Sequence, residues 1–241
     1  MGTIKTENEI KLIKKSAQIS NSCINIIRDS LKESITEKEL RKRVGRKIRS
    51  QGANLAFQTL VASGKRSAMI HPKPYAANKV IGGIGYIDFG ACYKGYKTDV
   101  TVPFIKGKIT KRQRKIVETT LKAYDVAIKS IRLNQHCWKL FKKVNNYSKK
   151  KGYRLGHSLG HGLGLKIHEN PIITMPKNKK LIDRKKRKWE KIKKITFQKN
   201  MVFTIEPGIY VKDIGGCRIE NDILLTSKGP KILTNSKLIE I

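Results

Sequence analysis

Between residues 7 and 30, apolar side chains return every three or four positions (Ile10, Ile13, Ala17, Ile24, Ile27) among lysines and polar residues. That spacing predicts an amphipathic helix. A second helix is expected over 36–51, where Thr36-Glu37-Lys38-Glu39 is close to a capping box. The pattern then changes to β-branched and aromatic residues punctuated by glycine, which predicts strands through Asp99. The order repeats, with helical stretches at 111–131 and 138–151 followed by more strands. The expected fold class is therefore α/β (α+β) in two similar halves, although the halves share no repeat strong enough to prove a duplication.

Two segments, 85–101 and 202–222, read as β-hairpins, and each carries a pair of acids in an apolar setting. Asp88 and Asp99 are expected to face each other across the first, Glu206 and Glu220 across the second. Such acids stand out because the chain holds 18 Asp and Glu against 53 Lys and Arg. Burying four unpaired carboxylates together would cost several kcal/mol each, a cost that a divalent cation relieves. Taken singly, any one of them also reads as a solvated strand-end residue or a lysine partner.

Three of the five histidines, His157, His161 and His168, fall in the glycine-punctuated run from Gly156 to Pro171. Glycine lets backbone approach an ion or peptide closely, and imidazole offers a neutral ligand nitrogen. Carboxylates plus one imidazole form an oxygen-rich donor set suited to manganese, cobalt, iron or zinc.

Nearly the whole chain resembles the pita-bread-fold metallopeptidases (M24), which include methionine aminopeptidase, aminopeptidase P and prolidase. Five ligand positions appear in family order: Asp88, Asp99, His161 in Gly-His-Gly, Glu206 in Thr-Ile-Glu-Pro, and Glu220. Val61-Ala62-Ser63-Gly64, Ser67-Ala68-Met69-Ile70-His71-Pro72 and Glu206-Pro207-Gly208-Ile209-Tyr210 are most similar to the catalytic domain of Xaa-Pro dipeptidase and aminopeptidase P. Methionine aminopeptidase is the next closest branch.

The resemblance implies two pseudo-symmetric halves around a dinuclear metal site. Asp99 and Glu220 would bridge two divalent ions, Asp88 would complete one site, and His161 with Glu206 the other. A metal-bridging hydroxide would attack the amino-terminal peptide bond, most naturally an Xaa-Pro bond. Glu206 would shuttle the proton, His71 and His168 would bind substrate and stabilise developing charge, and His157 would lie near the substrate. Arg218 would orient a metal carboxylate.

With 241 residues the chain is long enough for one substantial core, and no linker interrupts it. A single catalytic domain over 1–241 is expected, without the additional amino-terminal domain of Xaa-Pro peptidases. No apolar run approaches the roughly 18 residues that span a bilayer, and no leader pattern opens the chain, so a cytoplasmic protein with no membrane contact is expected. Cys23, Cys92, Cys137 and Cys217 lack metal-site spacing and suit a reducing compartment. His136, beside Cys137, reads as a packing or surface residue.

The net charge is +35, and residues 177–199 form a strongly basic segment that reads as a surface insertion. Besides a peptide substrate, the expected partners thus admit a second copy in a homodimer and a weak polyanion or ribosome contact. A non-catalytic binding protein on a peptidase fold is the alternative from another class. The lysines are spread along the whole chain without a nucleic-acid motif, however, which favours compositional bias as their cause.

Overall fold

In the computed structural model, which describes residues 3–175, 190 and 192–241, α1 (Glu7–Lys32) and α2 (Glu37–Arg49) occupy the first two expected helical stretches. Each starts at a threonine whose hydroxyl accepts the N3 amide while the N3 glutamate accepts the threonine's own amide, Thr6 with Glu9 and Thr36 with Glu39. Caps of this kind contribute about 1 kcal/mol each. Short strands follow: β1 (Asn54–Leu55), β2 (Leu60–Ser63), β3 (Gly83–Phe89), β4 (Ala91–Tyr93), β5 (Tyr96–Lys97) and β6 (Val100–Lys106), with a 3-10 turn at Gly64–Ala68 after β2.

The second half repeats the order. It comprises α3 (Lys111–Ser130), capped by Thr110 and Gln113, α4 (Cys137–Lys150), and strands β7 (Gly160–Gly162), β8 (Glu169–Ile173), β9 (Val202–Ile205), β10 (Gly208–Val211), β11 (Gly215–Arg218), β12 (Asn221–Thr226) and β13 (Gly229–Ile232). A last strand, β14 (Ile239–Glu240), returns to the first half, beside β6.

Two main sheets result, in the orders β14-β6-β3-β2 and β13-β12-β9-β7-β8. α1 and α2 lay Ile27, Leu31, Leu40 and Val44 against Ile87, Phe89 and Phe104 of the first sheet. α3 and α4 lay Ala127, Leu140 and Val144 against Phe203, Ile205 and Ile223 of the second. Removing such side chains from water contributes about 1.5–3 kcal/mol each, so each helix pair is held by its apolar face. A backbone bridge between Thr101 and Glu220 joins the two sheets.

The register corrects one expectation. Asp88 pairs with Thr101 and Phe89 with Val100, so Asp99 lies just outside β6 and does not face Asp88. The physical reason is that residues 91–97 turn away to pair β4 with β1 and β5. In the other acidic segment, Ile205 pairs with Asn221 and Gly208 with Arg218. Glu206 and Glu220 therefore flank the same break between two ribbons. His136 is the N-cap residue of α4, half-buried and making no side-chain capping bond. The basic segment at 177–199 lies outside the described residues as far as 189 and at 191. No helix among the described residues is long and apolar enough to cross a membrane.

All four cysteines are free thiols, and burial pushes Cys23 up to about 11 and Cys137 and Cys217 up to about 12. Only Cys92 is partly exposed. Because the thiolate is the reactive form, a disulfide reagent at pH 8 should titrate one thiol per native chain and four after denaturation. Rapid reaction of a second native thiol would contradict this packing.

Candidate active site

His161 enters the site from β7, which is wedged between β8 and β9. A Cβ on Gly160 would lie 1.9 Å from the Thr204 carbonyl oxygen, and one on Gly162 would lie 2.0 Å from that of Asn170. Glycine is needed at both places because neighbouring strands, rather than a ligand, fill the space. The His161 Nδ1 lies 3.1 Å from the Gly162 carbonyl oxygen. A carbonyl only accepts, so Nδ1 carries the proton and Nε2 keeps its lone pair. Nε2 points into the acidic cluster, 3.6 Å from both Asp99 Oδ2 and Glu206 Oε1. Burial, reinforced by His168, lowers the His161 pKa to about 4, which keeps the ring neutral near pH 7.

Asp99, His161 and Glu220 offer ligand atoms all within 4.8 Å of one another, and Asp88 and Glu206 line the same pocket. Desolvation, then repulsion from Asp88, pushes Glu220 up to about 7. Desolvation and the Glu220 charge likewise hold Asp99 and Glu206 well above the usual carboxylate range. Glu220 Oε1 and Asp88 Oδ1 are buried without a hydrogen-bond partner. Orphaned acceptors, crowded acids and an unprotonated imidazole nitrogen together fit a divalent cation.

A buried network surrounds this cluster. Arg218, 2 % exposed, donates to Asp88 Oδ2, to the Tyr210 hydroxyl at 2.7 Å and to Thr101 Oγ1 at 3.0 Å, and its guanidinium lies 4.5 Å from the Tyr86 ring centre. Thr101 in turn donates to Glu220 Oε2 at 2.8 Å. His157 Nδ1 faces the Ser158 carbonyl at 2.8 Å, so this nitrogen is protonated and Nε2 accepts from Tyr210 at 2.9 Å. Burial, followed by the Arg218 charge, lowers His157 to about 3. Tyr210, Thr101 and Asp222 were not singled out by sequence reasoning. Asp222 is fully buried and accepts from the Asp99 amide at 3.3 Å. Tyr210 lies in the run that begins at Glu206, and Asp222 two residues after Glu220. Only strand pairing shows what they touch.

His71 and His168 both line the pocket, a cavity of about 520 Å³, and the His168 ring centre lies 4.3 Å from that of His161. Phe57, Leu60, Ile70, Tyr75, Ile167 and Ile172 supply apolar walls. Every residue expected from the sequence to form the site, namely Asp88, Asp99, His161, Glu206, Glu220, His71, His157, His168 and Arg218, lines this one pocket.

The same arrangement of chain occurs in solved structures. The Xaa-Pro dipeptidase from Bacillus anthracis superposes with a TM-score of 0.87 at 33% identity, covering 99% of this chain and 64% of that one. The prolidase from Pyrococcus furiosus gives 0.85 at 33% identity, covering 98% of this chain and 66% of that one. Both bear out the expected pita-bread fold. In sequence, a curated Xaa-Pro dipeptidase of Pyrococcus horikoshii is 34% identical over 242 residues, 98% of this chain. The chain spans 64% of that relative's length. The profile of metallopeptidase family M24 matches residues 11–227, a span that contains the four clustered acids and the His161 imidazole, and the chain belongs to that family.

Proposed function

We propose that this chain forms the catalytic domain of a metal-dependent exopeptidase that cleaves amino-terminal Xaa-Pro bonds. Two divalent ions would be held by Asp88, Asp99, His161, Glu206 and Glu220. The observation that carries this reading is the convergence of crowded acids, orphaned carboxylate oxygens and a neutral imidazole nitrogen on one pocket. The Xaa-Pro names of the relatives favour proline over an initiator methionine.

When bound, the ions would lower the pKa of a water and polarise the scissile carbonyl. Glu206, beside His161, is placed to take a proton and pass it towards the leaving amine. His71 and His168 stand on the pocket wall, where an imidazole N–H stabilises charge developing on the carbonyl oxygen. Neutral His157, tied to Tyr210, presents a fixed ring to the substrate. Arg218 aims Asp88 while Thr101 aims Glu220, so ligand oxygens are oriented before any ion arrives. The apolar walls, Leu60, Ile70 and Ile172 among them, suit a proline ring.

Manganese- or cobalt-loaded protein should hydrolyse an Xaa-Pro dipeptide or a longer Xaa-Pro peptide in preference to a Met-Ala peptide, and His161→Ala should lose at least about 100-fold in kcat/KM. Preferred removal of methionine would overturn the substrate reading. Metal binding without turnover would favour a binding protein.

A further inference from the structure

We propose that Glu37, far from the pocket in sequence, is a positioning residue whose buried carboxylate closes the neck of the 63–77 loop and so fixes His71 at the pocket wall. The inference rests on the peptidase reading for the role of His71. Glu37 opens α2 and reads as an ordinary first-turn acid, yet it is wholly buried. Its Oε1 accepts from the Ser63 amide at 2.8 Å and the Ser63 hydroxyl at 2.9 Å. Its Oε2 accepts from Arg66 Nε at 3.0 Å and the Ala77 amide at 2.9 Å. One carboxylate therefore binds the first residue of the loop, its last residue, and an arginine between them.

The remaining contacts complete the clasp. Arg66 reaches across the loop to the Pro74 carbonyl at 2.6 Å, and the Glu37 and Lys38 amides donate to Lys79 and Ala77 carbonyls. The α2 N-terminus thus satisfies its orphan donors on the chain leaving the loop, at Ala77 and Lys79, and its dipole favours an acidic side chain at this end. Opposite the neck, Tyr86 donates to the Met69 carbonyl at 2.6 Å and Arg218 to that of Ile70. His71 itself is exposed, so its direction is inherited from this backbone. The loop is held at its neck by Glu37 and beside its histidine by the Arg218 network.

Glu37→Gln separates this role from general stability. Each carboxylate oxygen takes two donors, so an amide NH2 in either place confronts donors with a donor. In the metal-loaded protein kcat on an Xaa-Pro peptide should fall about 10–100-fold with little change in KM, because His71 is displaced from the developing charge. In a His71→Ala background the same substitution should cost less than about twofold, since its effect passes through His71. Hydrogen exchange at 64–77 should speed up at least about tenfold. The 164–169 loop, pinned by its own Lys5–Glu169 pair at 2.6 Å, should be unchanged.

If Glu37→Gln does not fold, Arg66→Lys, which keeps the charge but loses the fork between Glu37 and Pro74, is read in the same way. Unchanged exchange at 64–77, or an undiminished kcat loss in the His71→Ala background, overturns the proposal. Should the wild-type protein cleave none of the peptides, the peptidase reading fails and the exchange measurement alone decides whether the clasp exists.

Discussion

Stripped of metal, the protein should lose the Glu220 share of its stability as pH rises from about 4.5 to about 7, and Glu220→Gln should remove that share, while the opposite contribution of the depressed His157 and His161 is common to both proteins. The folded-state pKa of Glu220 is raised from 4.5 to about 7 by desolvation first and Asp88 second. A group raised in this way is protonated more readily folded than unfolded. Its stabilisation is complete below the unfolded value and disappears as pH climbs through the folded one. Asp99 and Glu206 shift in the same direction. The glutamine variant keeps the volume and an acceptor for Thr101 but carries no charge.

At pH 8 the metal-free variant should therefore melt above the metal-free wild type by several degrees, a gap of a few kcal/mol at about 2–4 °C per kcal/mol. At pH 4 the gap should close. Comparing the two proteins at each pH cancels the repulsion among the many surface lysines. Manganese should close most of that gap, because about 100 times Kd stabilises wild type by about 2.7 kcal/mol and a variant without the Glu220 carboxylate by much less. Equal melting temperatures at pH 8 would mean that the acids do not repel as the geometry requires.

The second large effect is expected at Arg218. Its guanidinium meets Asp88, Tyr210 and Thr101 at once over the face of Tyr86. Lysine places all three donors on one nitrogen and cannot span those acceptors. Arg218→Lys should fold, yet lose about 10–100-fold in metal affinity or kcat, as is typical when a residue that orients a ligand is removed. Arg218→Ala should be worse, since Asp88 is left with no counter-charge at a largely buried position, a loss of about 3–5 kcal/mol. Calorimetric manganese titration and melting curves measure both. A lysine variant with full affinity and turnover would show that Asp88 needs no aiming.

How much of this was legible depended on distance along the chain. All four principal helices were readable because apolar spacing, and in the first three a threonine cap, act within one or two turns. The observed ends, at Lys32, Arg49, Ser130 and Lys150, lie within two residues of the expected ones. The acids that gather at the pocket were readable as well, because acids in apolar surroundings are conspicuous in so basic a chain. That Asp99 would not face Asp88 was not readable, since it depended on whether residues 91–97 would join that hairpin or leave it for β1.

By itself, then, the sequence determined the helix pairs, the strand-rich segments that follow each pair and the residue types that gather at the pocket, all consequences of local propensity and of what burial costs a carboxylate. Tertiary structure alone decided which partner each group meets. Thr101 reaches Glu220 across 119 residues, Arg218 reaches Asp88 across 130, and Glu37 turns from an ordinary first-turn acid into a buried clasp across 26 to 40 residues. Such pairings carry no local signature, because two groups far apart in the chain meet only when sheets and helices have packed, and the energy of their contact depends on the water that packing removes.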